Sequence, residues 1–207
     1  MKELLYTIYI ASAVISVLLM VIGMWWYSKE TKKTKHRPNI VVLFLWALLA
    51  IVTAITYEMI VGDWLKSFLL FTGVAANIYV LVVLILHKNY LVLKRDILII
   101  SLGTLFIVGF VLCMNIKEVH IIMQIINTLA YIPLILGIMD GKGKEPLGPW
   151  IVILIASIAN LITIVVSYSD YWSLIQPLRS ILLQIGVIIL IKIKELQTAP
   201  SWELFFY

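Results

Sequence analysis

The sequence predicts an all-α membrane protein of seven transmembrane helices, arranged as two parallel three-helix bundles joined by a linker helix. Three observations predict this fold: an apolar composition, seven apolar runs of spanning length, and a likeness between the two ends of the chain. Of the 207 residues, 63% are hydrophobic and only 13% are charged, whereas a soluble domain carries about 25% charged residues. Lipid must therefore be the solvent for much of the surface.

The predicted spans are runs of mostly apolar residues, each near the roughly 20 residues that a helix needs to cross the hydrocarbon. Helices are predicted rather than barrel strands because the runs lack alternation between apolar and polar residues. The runs cover residues 4–27, 40–60, 65–86, 97–115, 119–139, 150–168 and 172–191.

These spans divide the chain into four parts. Residues 1–93 form the first three-helix bundle, 94–117 the linker helix, and 118–196 the second bundle. The last part, residues 197–207, is an aromatic tail that we expect to lie on the inner membrane surface.

The distribution of lysine and arginine predicts the orientation. Twelve of these residues lie after the first, third or fifth span or at the end of the chain, all on one side of the membrane. The other four, Lys2, Lys66, Lys117 and Arg179, lie on the opposite side. Because basic loops stay in the cytoplasm, the N-terminus is predicted outside and the C-terminus inside, with the cell membrane as the expected location.

The same composition excludes several classes of function. The single cysteine, Cys113, cannot form a disulfide within the chain, and the three histidines are scattered without metal-ligand spacing. The carboxylates lie in loops, so no nucleophile–base pair is visible and no enzyme or cofactor is predicted. The net charge of +5 belongs to the loops and does not predict nucleic-acid binding. The bilayer and a small solute are the expected partners, and a homo-oligomer stays open.

The internal repeat rests on two similar turns. Asp63-Trp64 and, later, Asp170 with Trp172 each separate two spans. When the two aspartates are superposed, Asn77 falls opposite Gln184. Three helices reverse the direction of a following repeat and the linker helix restores it, so both halves face the same way, as in parallel transporter repeats.

With this plan, the chain resembles the superfamily of SWEET-type and PQ-loop transporters. The resemblance covers the 3+1+3 arrangement and residues 137–150, a basic turn that enters the sixth span. It implies a substrate pocket between the two bundles, lined by Asn77 and, as a variant one methylene longer, by Gln184.

Further polar residues inside the spans are candidates for the pocket. Asn160 lies between Ser157 and Thr163 on one face of the sixth span, where pocket lining and helix–helix bonding are equally open. Asn127 and Tyr131 share a face of the fifth span and are assigned to the pocket.

Three other residues are candidate hinges or gates, and one aromatic residue is a candidate ligand contact. Pro133 is expected to kink the fifth span. Arg179 is the charge inside a span: it either reaches outward to Asp170 or forms an anion site or gate. Trp46 either stacks on the solute or packs in the core.

The predicted function is transport of a small polar solute, sugar-like or vitamin-like, by alternating access. Facilitated diffusion is favoured over proton coupling because no carboxylate is expected inside the bundle. The alternative is a seven-helix receptor or scaffold of the same fold that does not transport. A retinal photoreceptor is disfavoured, since Lys192 and Lys194 lie at the inner end of the last span rather than at its middle.

Overall fold

The structure, a computed structural model, describes residues 2–33, 38–88, 90, 92, 115–141, 145–167 and 171–198. Within these ranges all regular structure is helical, apart from one isolated bridge residue. The helices are α1 Lys2–Thr31, α2 Ile40–Val61, α3 Trp64–His87, α4 Ile116–Leu129, α5 Ile132–Met139, α6 Leu147–Val166 and α7 Trp172–Thr198.

Short polar side chains fix where three of the helices begin. Asn39, Asp63 and Asn115 each stand at an N-cap, and their side-chain oxygens accept backbone N–H groups of the first turn. Gly62, at φ 62°, ends α2 in the left-handed conformation that glycine tolerates best. The tight turn between α2 and α3 therefore follows from the sequence Gly62-Asp63.

The predicted fifth span is interrupted. α4 ends at Leu129, and α5 begins at Ile132 after a turn at Ala130 and Tyr131. Pro133 lies in the first turn of α5, where its missing N–H costs least. The expected kink is thus a break between two helices, and whether it acts as a hinge stays a prediction.

Six helical segments are long and apolar enough to cross a membrane, with α4 and α5 counted together as Ile116–Met139. Large apolar side chains such as Leu4, Leu86 and Leu182 are exposed on their outer surfaces, as lipid-facing residues are. The described helices therefore support a multi-pass membrane protein. The predicted fourth span, apart from Asn115, lies outside the described residues, as do 199–207 of the predicted tail. Residues 197–198 instead continue α7.

The helices pack in two groups, α1–α3 and α4–α7, and the last helix of each group contacts the others of its group. α3 packs against α1 and α2, while α7 packs against α6 and against both α4 and α5. Between these groups, α1 packs against α6 and α2 packs against α4.

The bundle has two ends that are distinguished by the hydrogen bonds between helix termini. Tyr9, near the start of α1, donates to Asp63, which precedes α3. Tyr27, near the end of α1, donates to Glu145, which precedes α6. The end of the bundle at which α1 begins is the upper face, and the end at which α1 stops is the lower face.

Several hydrogen bonds join α1–α3 to α4–α7 near the upper face. The Lys66 ammonium donates to the Ser167 carbonyl at 2.7 Å, and Thr56 Oγ1 lies 3.1 Å from His120 Nδ1. Tyr57 donates to the Ser173 carbonyl at 3.2 Å. Within a helix, the Ser173 carbonyl would normally accept the N–H of residue 177. Because Pro177 has no N–H, this carbonyl is left for Tyr57.

Candidate functional site

A cavity of about 160 Å³ lies between the helices near the middle of the bundle. Every described helix except α5 contributes to its lining. The lining residues are Met20, Met24, Trp46, Ala50, Thr53, Leu69, Leu70, Gly73, Asn77, Asn127, Tyr131, Trp150, Ile153, Ser157, Gln176, Arg179, Ser180 and Gln184.

Most of the residues predicted from the sequence meet at this cavity. The lining includes five of the six predicted binding residues, and Arg179, predicted as a gate or anion site, joins them. The five are Asn77, Gln184, Trp46, Asn127 and Tyr131.

Two predicted residues lie outside the lining, and a third lies outside the described residues. Asn160 is buried in α6, 1% exposed, but does not line the cavity. Pro133 is also buried outside the lining, next to the break before α5. Asp170 lies outside the described residues. The lining therefore gives no support to a contact between Asn160 and a ligand in this cavity.

The lining positions recur along the chain at a nearly constant spacing. Three residues of α3 precede lining residues of α7 by 107 positions, and two residues of α1 precede Asn127 and Tyr131 by the same distance. For α2 and α6 the spacing is 104 positions. The pairs are Leu69/Gln176, Gly73/Ser180, Asn77/Gln184, Met20/Asn127, Met24/Tyr131, Trp46/Trp150 and Thr53/Ser157.

The α7 wall of the cavity is polar. Gln176, Arg179, Ser180 and Gln184 face the cavity from four positions of one helix face. Gln176 and Gln184 are 8% and 5% exposed, and the Oε1 atom of each has no hydrogen-bond partner. Because buried polar atoms are normally paired, these two oxygens are open acceptors for a ligand or water.

Arg179 adds a cation to the same wall. Its Nη2 donates to Ser180 Oγ at 3.2 Å, whereas its Nε and Nη1 are buried without a hydrogen-bond partner. Among the described residues, no carboxylate forms an ion pair with it. The alternative of an outward ion pair to Asp170 falls outside the described residues.

The α3 wall of the cavity is mostly apolar and consists of Leu69, Leu70 and Gly73 with one amide, Asn77. Asn77 Nδ2 donates to the Gly73 carbonyl of its own helix at 2.9 Å. Asn127, on α4, likewise donates to Thr53 Oγ1 at 3.0 Å. These two amides are already partly satisfied by the protein, unlike Gln176 and Gln184.

Aromatic rings line the part of the cavity nearest the lower face. The rings of Trp46 and Tyr131 have centroids 4.8 Å apart, and Trp150 lies edge-on to Trp46 at 6.1 Å. Trp150 Nε1 donates to Glu145 Oε2 at 3.2 Å, whereas Trp46 Nε1 is buried without a partner. Trp46 thus packs in the core and also presents a free donor.

Glu145 corrects the expectation that no carboxylate is buried. It precedes α6 in the sequence, yet it is only 7% exposed because Tyr27 and Trp150 cover it and donate to one of its oxygens. Burial raises the pKa of the Glu145 carboxyl above its usual range, and the two hydrogen bonds oppose that rise.

The lining residues that sequence reasoning missed include Gln176, Ser180, Thr53 and the two methionines of α1. The signal for the first two was present, because Gln176, Ser180 and Gln184 repeat every four residues on one helix face.

The described residues hold no group of three or more side chains suited to a metal ion. Comparisons of the chain with models of protein families, with curated proteins and with solved structures find no match.

Proposed function

We propose that the protein is a membrane carrier that moves a small polar solute by alternating access. In this proposal α1–α3 form one bundle, α4–α7 form the other, and a seventh span within residues 94–117 joins them. The chain would then belong to the SWEET-type and PQ-loop superfamily that it resembles. The single observation that carries the proposal is the cavity between the two groups of helices, with unpartnered polar atoms in its wall.

The cavity lining supports the two-bundle arrangement. Paired lining positions recur 107, 104 and 107 residues apart in successive helices. The contacts between helices follow the same relation. The lining pairs match α1 with α4 and α2 with α6, and the contact of α1 with α6 is matched by the contact of α4 with α2. A two-fold axis between like-facing halves produces this pattern, as parallel transporter repeats do.

The positions of the helix ends support a seventh span. α3 ends at the lower face beside the end of α1, whereas α4 begins at the upper face, where His120 lies beside Thr56. The chain between them joins opposite faces. One further crossing of about 20 residues satisfies this connection, and residues 97–114 are apolar enough to make it.

Unpartnered polar atoms favour a binding cavity over a closed scaffold. Trp46 Nε1, Gln176 Oε1 and Gln184 Oε1 are buried without hydrogen-bond partners and face the same space. A scaffold is expected to pair such groups within the protein, because each unpaired buried group costs about 1–3 kcal/mol. A receptor of the same fold would bind but not translocate, and flux separates these two cases.

Facilitated diffusion is the proposed mode. The described lining of the cavity contains no Asp, Glu or His that could pass a proton with the solute. Rocking of one bundle against the other would expose the cavity to each face in turn. The bonds at the upper face, such as Lys66 to Ser167, and the Tyr27–Glu145 bond at the lower face would then break alternately.

The positive-inside rule supports an orientation with the lower face in the cytoplasm. Lys29, Lys33 and Lys88 lie at this face, where α1 and α3 end. The proposed location is the cell membrane, with the N-terminus outside.

Uptake into liposomes tests the carrier. Labelled glucose, alanine and lactate would be offered to liposomes holding the wild type, the Asn77→Ala/Gln184→Ala variant, or the control Gln197→Ala. Gln197 is an exposed amide near the end of α7, away from the cavity. We expect saturable uptake of at least one solute by the wild type and the control, with a loss of roughly 20- to 30-fold in the double variant.

Two results would contradict the proposal. Equal uptake by the wild type and the double variant would remove the cavity as the transport site. Binding of a solute, seen as a rise in unfolding temperature, without any flux would indicate a receptor instead.

A further inference from the structure

The α7 wall presents a cation for which no described residue supplies a counter-charge. Arg179 lines the cavity, and two of its nitrogens, Nε and Nη1, are buried without an acceptor. Among the described titratable groups, Tyr131 and His120 act on it electrostatically. Neither a phenol nor an imidazole carries negative charge at neutral pH.

A buried guanidinium without an anion is costly, because desolvation removes its water and nothing replaces the charge. Structural arginines usually avoid this cost by forming ion pairs with carboxylates. No described carboxylate does so for Arg179. Because the described residues supply no anionic partner, we expect this partner to come from outside the protein.

The neighbours of Arg179 specify a second feature of that partner. Gln176 Nε2 and Arg179 Nη2 both donate to Ser180 Oγ, at 3.2 Å each. The Oε1 atoms of Gln176 and Gln184 remain open acceptors. A ligand that satisfies this wall must offer an anionic acceptor to Arg179 and an O–H or N–H donor to the glutamines.

The remaining surface of the cavity specifies a third feature. Met20, Met24, Leu69 and Leu70 contribute apolar surface to the lining, and methionine side chains adapt to varied shapes. This surface suits a short aliphatic or aromatic group rather than a sugar with hydroxyls all round.

We infer that the solute of this cavity is a small soluble carboxylate that carries a hydroxyl or amino group and an apolar side, such as a 2-hydroxy or 2-amino acid. The inference rests on the proposed carrier function and narrows its substrate class. It replaces the sugar-like or vitamin-like solute with one whose carboxylate pairs with Arg179.

A soluble anion fits this site better than a lipid headgroup. The lining comes from α1, α2, α3, α4, α6 and α7 together, so the cavity lies at the centre of the bundle rather than on its lipid-facing surface. Its volume of about 160 Å³ suits a solute of a few heavy atoms.

Lactate and lactamide form a matched pair for the test, since they share the hydroxyl and methyl groups and differ in charge. Thermal unfolding would be measured for the purified full chain with increasing concentrations of each. We expect lactate to stabilise the wild type at concentrations about tenfold lower than lactamide, because a hydrogen bond to a charged partner is worth more than a neutral one.

Two variants show whether Arg179 is responsible. Arg179→Gln is expected to lose the preference for lactate, and Arg179→Lys to keep part of it. Lys192→Gln is the control, because it removes an equal charge at an exposed site paired with Glu195. Without solute, Arg179→Gln is expected to unfold at a higher temperature than the wild type, whereas loss of a structural ion pair would lower that temperature.

The outcomes separate this inference from the carrier proposal. If lactamide stabilises as well as lactate, or if lactate, alanine and phenyllactate all fail to stabilise the wild type, the inference is overturned whether or not solute uptake occurs. If lactate binds through Arg179 but does not cross the membrane, the anion site stands and the carrier proposal falls. If stabilisation needs phosphatidylglycerol in a phosphatidylcholine bilayer and lactate adds nothing, the occupant is a lipid headgroup and the inference is wrong.

Discussion

The α3 wall and the α7 wall of the cavity occupy matching positions but differ in chemistry. Leu69, Gly73 and Asn77 lie 107 positions before Gln176, Ser180 and Gln184. The first set presents one amide that is bonded to its own helix, whereas the second presents open acceptors beside a cation. Residues at matching positions of the two helices therefore differ in chemistry: the α3 wall is mostly apolar, and the α7 wall carries a cation and unpaired amide oxygens.

The largest expected effect separates the two amides. Gln184→Ala should lower uptake of the transported solute by roughly tenfold, because its Oε1 is open to the ligand. Asn77→Ala should lower uptake by only about two- to threefold, because Asn77 Nδ2 is already bonded to Gly73. Initial uptake rates in liposomes measure both. Equal losses would show that the two walls contribute alike to transport and would contradict the proposed difference between them.

The next effect separates the two tryptophans that occupy matching positions in α2 and α6. Trp150→Phe should lower the free energy of unfolding by about 1–3 kcal/mol more than Trp46→Phe. Trp150 donates to the buried Glu145, whereas Trp46 Nε1 has no partner, and both changes remove the same side-chain volume. Denaturant unfolding of the two variants measures the difference. Equal stabilities would mean that the Trp150–Glu145 bond contributes nothing.

A smaller effect is expected from pH at the lower face. Burial raises the pKa of the Glu145 carboxyl in the folded protein, so the folded protein holds this proton at pH values where the unfolded chain has lost it. Stability contributed by the neutral carboxyl is therefore full below the unfolded pKa and is lost as pH rises through the folded pKa. Relative to Glu145→Gln, the unfolding temperature of the wild type should fall across this window. A parallel pH dependence in the two proteins would be the contrary result.

The smallest effect is expected when the α3 wall is given a residue of the α7 wall. Gly73→Ser places the counterpart of Ser180 on α3, and a Cβ at Gly73 meets no atom within 4 Å. Removing a glycine from a helix interior should stabilise the protein by about 0.5 kcal/mol or less, since serine is only slightly better than glycine there. Thermal unfolding checks this, with Gly186→Ser as the control, because Gly186 has equal room and does not line the cavity. Strong destabilisation of Gly73→Ser alone would show that the wall is tightly packed.

Sequence patterns predicted the positions of the helices better than their interruptions. Apolar length alone locates each described span, since a helix in lipid must satisfy its own backbone. The break at Ala130 was expected only as a kink near Pro133. Whether a proline kinks a helix or separates two helices depends on packing around the freed carbonyl, which a single sequence does not contain.

The candidate site residues show the same limit of sequence-based prediction. Asn77 and Gln184 were predicted because the Asp63 and Asp170 turns align them, and both line the cavity. Asn160 has the same residue type and depth, yet its side chain does not line the cavity. Rotation of a helix about its axis decides such cases, and this rotation is set by the neighbouring helices. Glu145 was placed in a loop, and only the three-dimensional contacts with Tyr27 and Trp150 reveal its burial.

Access to the two walls from each side of the membrane tests the central claim most directly and needs no known solute. Gly73→Cys and Ser180→Cys would be made in a Cys113→Ser background, and a membrane-impermeant thiol reagent would be applied to each side in turn. Leu182→Cys is the control, because Leu182 is exposed on the outer surface of the bundle, where lipid is expected. The carrier proposal predicts that positions 73 and 180 both react from both sides and that position 182 does not. Reaction of both cavity positions from one side only, or of just one of the two positions, would contradict a shared cavity with alternating access.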